Sequence, residues 1–179
     1  MLAHERTNIA DVNRAKRELE RLKRIAKAEG VWDDMRFRDE IAKLEVDVIA
    51  LEMMVLRVLS AEKSGKQSLD IAGLLKIRGS EIQQRYSELM MMAAGPFSLP
   101  FIQEAMDAGW QGDHVGAAHC APLASTYFNM RKTTIYGGSN EVQRNIVAQT
   151  VLGWSMDFDF SDEQAQLRDA VRKWVDKAY

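Results

Sequence analysis

No proline interrupts the chain from Met1 to Ala94, and glycine is sparse over the same stretch. Proline removes a backbone donor and clashes with the preceding helical turn, so a proline-free run of this length permits long helices. All three prolines, Pro96, Pro100 and Pro122, fall in one window that also holds Gly95, Gly109, Gly112 and Gly116. That window reads as a loop-rich connection with a short helix at about Phe101–Ala108. Further breaks stand at Gly137-Gly138 and from Gly153 to Phe160.

Between the breaks the apolar residues follow a helical period. Ile9, Val12, Leu19, Leu22 and Ile25 predict a first helix over Leu2–Glu29, with Gly30 as its stop and a basic face of Arg14, Lys16, Arg17, Arg21, Lys23, Arg24 and Lys27. That face reads most simply as solvated. Asp33 or Asp34 caps a second helix carrying Phe37, Ile41, Leu44, Val48, Leu51, Val55 and Leu56. Ile49, Met53 and Met54 widen its stripe, so it touches more than one neighbour. A third helix runs over about Ser68–Ala94, carrying Leu75, Ile82, Tyr86, Leu89 and Met90 on its apolar face. A fourth unit spans about Pro122–Arg131 and resumes from Ser139 to Gly153 with Val142, Ile146, Val147 and Val151. No useful period-two alternation occurs. The fold class is all-α, an antiparallel four-helix bundle over residues 1–153 with an extra C-terminal helix in 154–179.

The 179 residues include 46% apolar side chains, enough for a real core. A net charge of −2 argues against a dedicated nucleic-acid partner. No apolar run nears the roughly 20 residues of a membrane span, and the first residues carry no signal-peptide pattern. The single cysteine, Cys120, excludes an internal disulfide. These features predict a cytoplasmic protein. His114, His119, Cys120 and Asp113 match no common zinc spacing, so no metal site is expected.

The segment YFNMRKTTIYGGSNEVQRNIVAQTVLG, from Tyr127 to Gly153, is the most informative. Two glycines precede a helix that opens with Ser139-Asn140-Glu141. A helix N-terminus presents unpaired N–H donors and a positive dipole end, which suits a phosphate; equally, Gly-Gly before an N-cap serine makes a plain turn. The string resembles the C-terminal signature of acyl-CoA dehydrogenases. LAHERTNIA resembles the start of the first helix of that family's C-terminal bundle, and KIRGSEIQQR followed by AAGPF resembles the third. The resemblance covers about Met1 to Gly153, nearest to bacterial two-subunit enzymes of the pimeloyl-CoA dehydrogenase large-subunit kind.

The resemblance implies an FAD enzyme that introduces an α,β double bond into an acyl-CoA thioester and passes electrons to an electron-transfer flavoprotein. Some members carry the catalytic carboxylate in the turn, at the position matching Gly137, which cannot abstract a proton. Others carry it at the position matching Glu5, which makes Glu5 the implied base and Arg6 its neighbouring charge. Tyr136, Gly137 and Gly138 would line the acyl-CoA and flavin face, and Ser139 and Glu141 would approach the adenosine end of FAD. The segment KAEGVWDDMRF lacks the Arg-x-x-Phe-Gly element that grips FAD in many members, and AAGPFSLP stands where many carry Gly-Gly-x-Gly. Both departures agree with a branch in which unlike subunits share cofactor contacts.

The family's N-terminal helical and middle β-domains have no counterpart here, so the chain looks like the enzyme's C-terminal third, expected to show little activity alone. SMDFDFSDEQAQLRDAVRKWVDKAY resembles the start of a second acyl-CoA dehydrogenase, as at a junction between large-subunit and small-subunit genes; the plainer reading is an extension packed on the bundle. Ser161 and Gln164 predict a capping box for its helix. A non-catalytic helical module that only oligomerises is the alternative function. In either reading the chain is a homo-oligomer or pairs with a second acyl-CoA dehydrogenase subunit.

Overall fold

The structure, a computed structural model, describes residues 11–63, 69–153 and 162–178. Its helices are α1 (Val12–Ala28), α2 (Met35–Lys63), α3 (Leu69–Ala94), α4 (Leu123–Met130), α5 (Asn140–Leu152) and α6 (Asp162–Ala178). Among the described residues there is no strand. Helix α1 starts later than the periodicity predicts, because the Asp11 carboxylate accepts the Arg14 N–H at 2.8 Å and caps the helix there. Residues 1–10 lie outside the described residues. Asp34 acts similarly at α2, accepting from the Arg36 N–H at 2.9 Å. The expected helix at Phe101–Ala108 is only a 3₁₀ turn over Gln103–Met106.

Helix α3 is the hub and packs against α1, α2, α4 and α5. Leu22 and Ile25 of α1, Ile41, Val48 and Leu51 of α2, Leu75, Leu89 and Met90 of α3, and Leu123 of α4 form one continuous core. Ion pairs fix the direction of packing. Lys16 pairs with Glu52 at 2.6 Å and Lys23 with Glu45 at 3.1 Å, so a step forward along α1 matches a step back along α2. Arg78 with Asp47 and Arg85 with Glu40 make the same antiparallel register between α2 and α3. Part of the basic face of α1 is therefore engaged by α2 rather than by water alone.

The expected α2 stripe is buried over Phe37, Ile41, Leu44, Val48 and Leu51, but Leu56 and the widening residues Ile49 and Met53 are at least half exposed, as is Val46 beside them. On α5, Val142 and Val151 are exposed, while Asn140 and Gln143 are buried. The periodicity predicts an apolar inner face for α5; its contact with α3 is mixed, with Asn140 and Gln143 buried beside a partly buried Val147. Leu167 and Val171, one helical turn apart on α6, are exposed, so the described part of the chain does not cover them. No helix among the described residues is long and apolar enough to cross a membrane.

Candidate functional site

The predicted residues Tyr136, Gly137, Gly138, Ser139 and Glu141 form one continuous turn leading into α5. Helix α3 holds this turn from behind. The Gln84 side-chain amide donates to the carbonyls of Met130 and Arg131 at 3.3 and 3.2 Å, and the Arg131 guanidinium returns a bond to Gln84 O at 3.0 Å. The chain then makes a 3₁₀ turn over Arg131–Thr134, and Tyr136 N–H closes on Lys132 O at 3.2 Å.

Gly137 and Gly138 follow with φ of 68° and 89°, a region that side chains with a Cβ enter only at a cost. Ser139 is the N-cap of α5, its hydroxyl accepting from Val142 N–H at 3.4 Å. The Gln143 side-chain amide reaches back to donate to Gly137 O at 3.3 Å. Its other end, Gln143 Oε1, is buried and accepts no hydrogen bond among the described residues. A Cβ on Gly138 would overlap Gln143 Nε2, so the glutamine amide would have to move to admit one, in addition to the cost of the positive φ.

Behind the turn lies a buried polar cluster that the sequence reading did not identify. Lys76 and Ser80 of α3 are fully buried and face Asn140. The Lys76 ammonium donates to Asn140 Oδ1 at 2.7 Å. Asn140 Nδ2 donates to Ser80 Oγ at 3.1 Å, and that hydroxyl donates onward to Ile77 O at 2.8 Å. Burial pushes the Lys76 ammonium below its ordinary value, with the Glu141 carboxylate opposing. Small residues give the legible signal: Gly73 and Ser80 share a face of α3 and admit α5 closely. A Cβ on Gly73 would stand 3.1 Å from Val147 Cγ2 and 3.2 Å from Gln143 Oε1.

The turn's exposed side carries one fixed negative charge. Glu141 is held ionised by its own backbone N–H, the Ser139 hydroxyl and the nearby Arg144 and Lys76 charges. An ionised carboxylate in the first turn of α5 repels phosphate but accepts hydrogen bonds from sugar hydroxyls. Tyr136, Gly138 and Glu141 are exposed and Ser139 half-buried, so the turn is reachable. Ser139 and Glu141 thus present a hydroxyl and an ionised carboxylate side by side, a pair that can meet the hydroxyls of a sugar. A cleft of about 280 Å³ opens nearby between α1 and α4, with Arg14, Tyr86 and Met130 among its walls. The Tyr86 hydroxyl there is buried, and burial pushes its ionisation up, with the nearby Arg14 guanidinium opposing. Glu5 and Arg6, the implied catalytic pair, lie outside the described residues.

The comparisons with known proteins agree with this architecture. The family model for the acyl-CoA dehydrogenase C-terminal domain matches residues 1–152, and the chain belongs to that family. It is 29% identical over 137 residues to the acyl-CoA dehydrogenase IpdE1 of Mycolicibacterium smegmatis, covering 76% of this chain and 30% of that one. The fold is similar to the Tcur3481-Tcur3483 steroid ACAD, with a TM-score of 0.68 and 22% identity over 86% of this chain and 38% of the other. It is also similar to a chain of the ChsE4-ChsE5 complex from Mycobacterium tuberculosis, with a TM-score of 0.55 and 17% identity over 75% of this chain and 35% of the other. The chain therefore spans about a third of the length of such relatives. FAD is the cofactor of this family.

Proposed function

We propose that the chain supplies the C-terminal helical part of a flavin-dependent acyl-CoA dehydrogenase of the two-subunit bacterial type. The carrying observation is the turn itself: left-handed Gly137-Gly138, the Ser139 cap and ionised Glu141 at one accessible helix start. FAD, when bound, supplies the hydride acceptor for α,β-dehydrogenation of an acyl-CoA thioester. Glu5 is the base that takes the Cα proton, and Arg6 balances its charge. Tyr136, Gly137 and Gly138 line the acyl-CoA and flavin side. Ser139 and Glu141 hold the adenosine side. Electrons leave to an electron-transfer flavoprotein in the complete enzyme, and residues 154–179 carry the start of a second subunit of the same family.

An FAD titration of the purified chain, read by flavin fluorescence at a molar mass fixed by light scattering, tests this reading. Saturable binding by an oligomer is expected. A well-folded helical oligomer that binds no FAD would leave only the assembly role and sink the cofactor role.

The exposed stripe of α2 supports assembly with another subunit in either case. Val46, Ile49, Met53 and Leu56 recur at helical spacing on one face. An apolar face of this kind is what an isologous or paired interface covers. The double substitution Ile49→Glu with Leu56→Glu is expected to convert the oligomer to monomer while leaving the helical circular dichroism intact. An unchanged mass by light scattering would show that the interface lies elsewhere.

A further inference from the structure

The end of α1 and the end of the Pro/Gly-rich connection bring three donor side chains of different chemistry together. His119 Nε2 lies 2.6 Å from Glu29 Oε1, and Cys120 Sγ lies 3.8 Å from the same oxygen. One donor atom from each residue lies within 4.8 Å of the other two. Glu29 and His119 are mostly shielded, with side-chain exposures of 18% and 29%, and Cys120 is fully buried. His114, the other histidine of this segment, is not part of the group; its ring faces Gly116 O at 3.1 Å.

We propose that Glu29, His119 and Cys120 form a three-ligand site for a divalent metal of the zinc class. The donor set is thiolate, imidazole and carboxylate, which matches the preference of Zn²⁺ for mixed S, N and O ligands. Zinc bond lengths of about 2.0–2.3 Å place tetrahedral donors about 3.3–3.8 Å apart, so the present separations need adjustments of only about 1 Å. Three protein ligands leave a fourth position for water or a small anion. That position has an outlet: a cleft of about 270 Å³ is lined by Arg21, Arg24, Ile25, Ala28 and His119.

The charges balance. On binding, the Cys120 thiol loses its proton to solvent and becomes a thiolate. His119 binds the metal as a neutral imidazole through Nε2, carrying its proton on Nδ1. Thiolate and carboxylate together neutralise the dication, so Arg21 and Arg24 do not oppose the bound metal and favour an anion at the fourth position. Without metal, burial and the Glu29 charge hold the Cys120 thiol protonated. The site would tie the Gly95–Pro122 connection to the C-terminal end of α1, across 90 residues of sequence.

Metal-stripped full-length chain titrated with Co²⁺ alone tests the proposal. The expected result is one equivalent bound, with tetrahedral d–d absorption and a thiolate-to-cobalt charge-transfer band. Cys120→Ser should abolish the charge-transfer band, and Glu29→Gln should weaken Zn²⁺ binding at least tenfold in competition. Absence of the thiolate band from the wild-type chain overturns the site, whatever the variants do. So does an equal Zn²⁺ affinity in Glu29→Gln, an isosteric change that keeps the side chain's volume and removes only its carboxylate charge.

Discussion

Asn140→Leu is expected to lower the unfolding free energy by about 3 kcal/mol, because it strips the buried Lys76 ammonium of an acceptor. Lys76 and Asn140 are both inaccessible to solvent, and their 2.7 Å contact joins α3 to the first turn of α5. Removing only the amide leaves a cation in the interior; Lys76→Met with Asn140→Leu removes both partners. The double variant should therefore be more stable than the two single effects predict, a coupling that a double-mutant cycle reads directly. Strict additivity would show that Lys76 does not depend on Asn140.

The same cluster sets an alkaline pH dependence. The Lys76 ionisation is pushed below its ordinary 10.5 in the folded chain, chiefly by burial. Between that lowered value and 10.5 the unfolded chain binds more protons than the folded one. Stability contributed by this group therefore rises with pH through that window and is flat below it. Other groups titrate there too, so the measurement is the difference between wild type and Lys76→Met in denaturant unfolding at successive alkaline pH values. That difference should shift toward wild type as pH rises. A difference that does not change with pH would mean that Lys76 is solvated.

The helical bundle and its candidate turn were legible in sequence for separate reasons. The proline-free N-terminal half and period-3.6 apolar spacing fix α2 and α3 closely, since local propensity and burial agree there. The turn at Gly137-Gly138 is legible because glycine followed by an N-cap serine has few conformational alternatives. The inner face of α5 was not legible. Its valines suggest an apolar stripe, yet Asn140 and Gln143 are the residues buried. A buried polar contact depends on a partner far along the chain: Lys76 is 64 residues from Asn140, and hydrophobic period carries no information about that pairing. The Glu29–His119–Cys120 group escapes for the same reason, since only the fold brings the end of α1 beside the segment before α4.

Gly138→Ala should cost about 2–3 kcal/mol and disrupt the candidate cofactor turn as a unit. Two terms combine. A φ of 89° imposes a left-handed penalty of about 1–2 kcal/mol on alanine. The new Cβ also overlaps Gln143 Nε2, so the buried amide must swing away and surrender its bond to Gly137 O, worth about 1 kcal/mol. Gly153→Ala is the matched control. It has a φ of 66° at the end of α5 but, among the described residues, nothing within 4 Å of the added carbon, so it carries the backbone term alone. Denaturant unfolding of the two variants separates the terms: the excess loss in Gly138→Ala measures the Gln143 contact. If the two losses are equal, Gln143 accommodates the methyl freely and does not brace the turn. If Gly138→Ala also loses FAD binding while Gly153→Ala keeps it, the geometry of the turn, rather than helix stability in general, governs the cofactor contact.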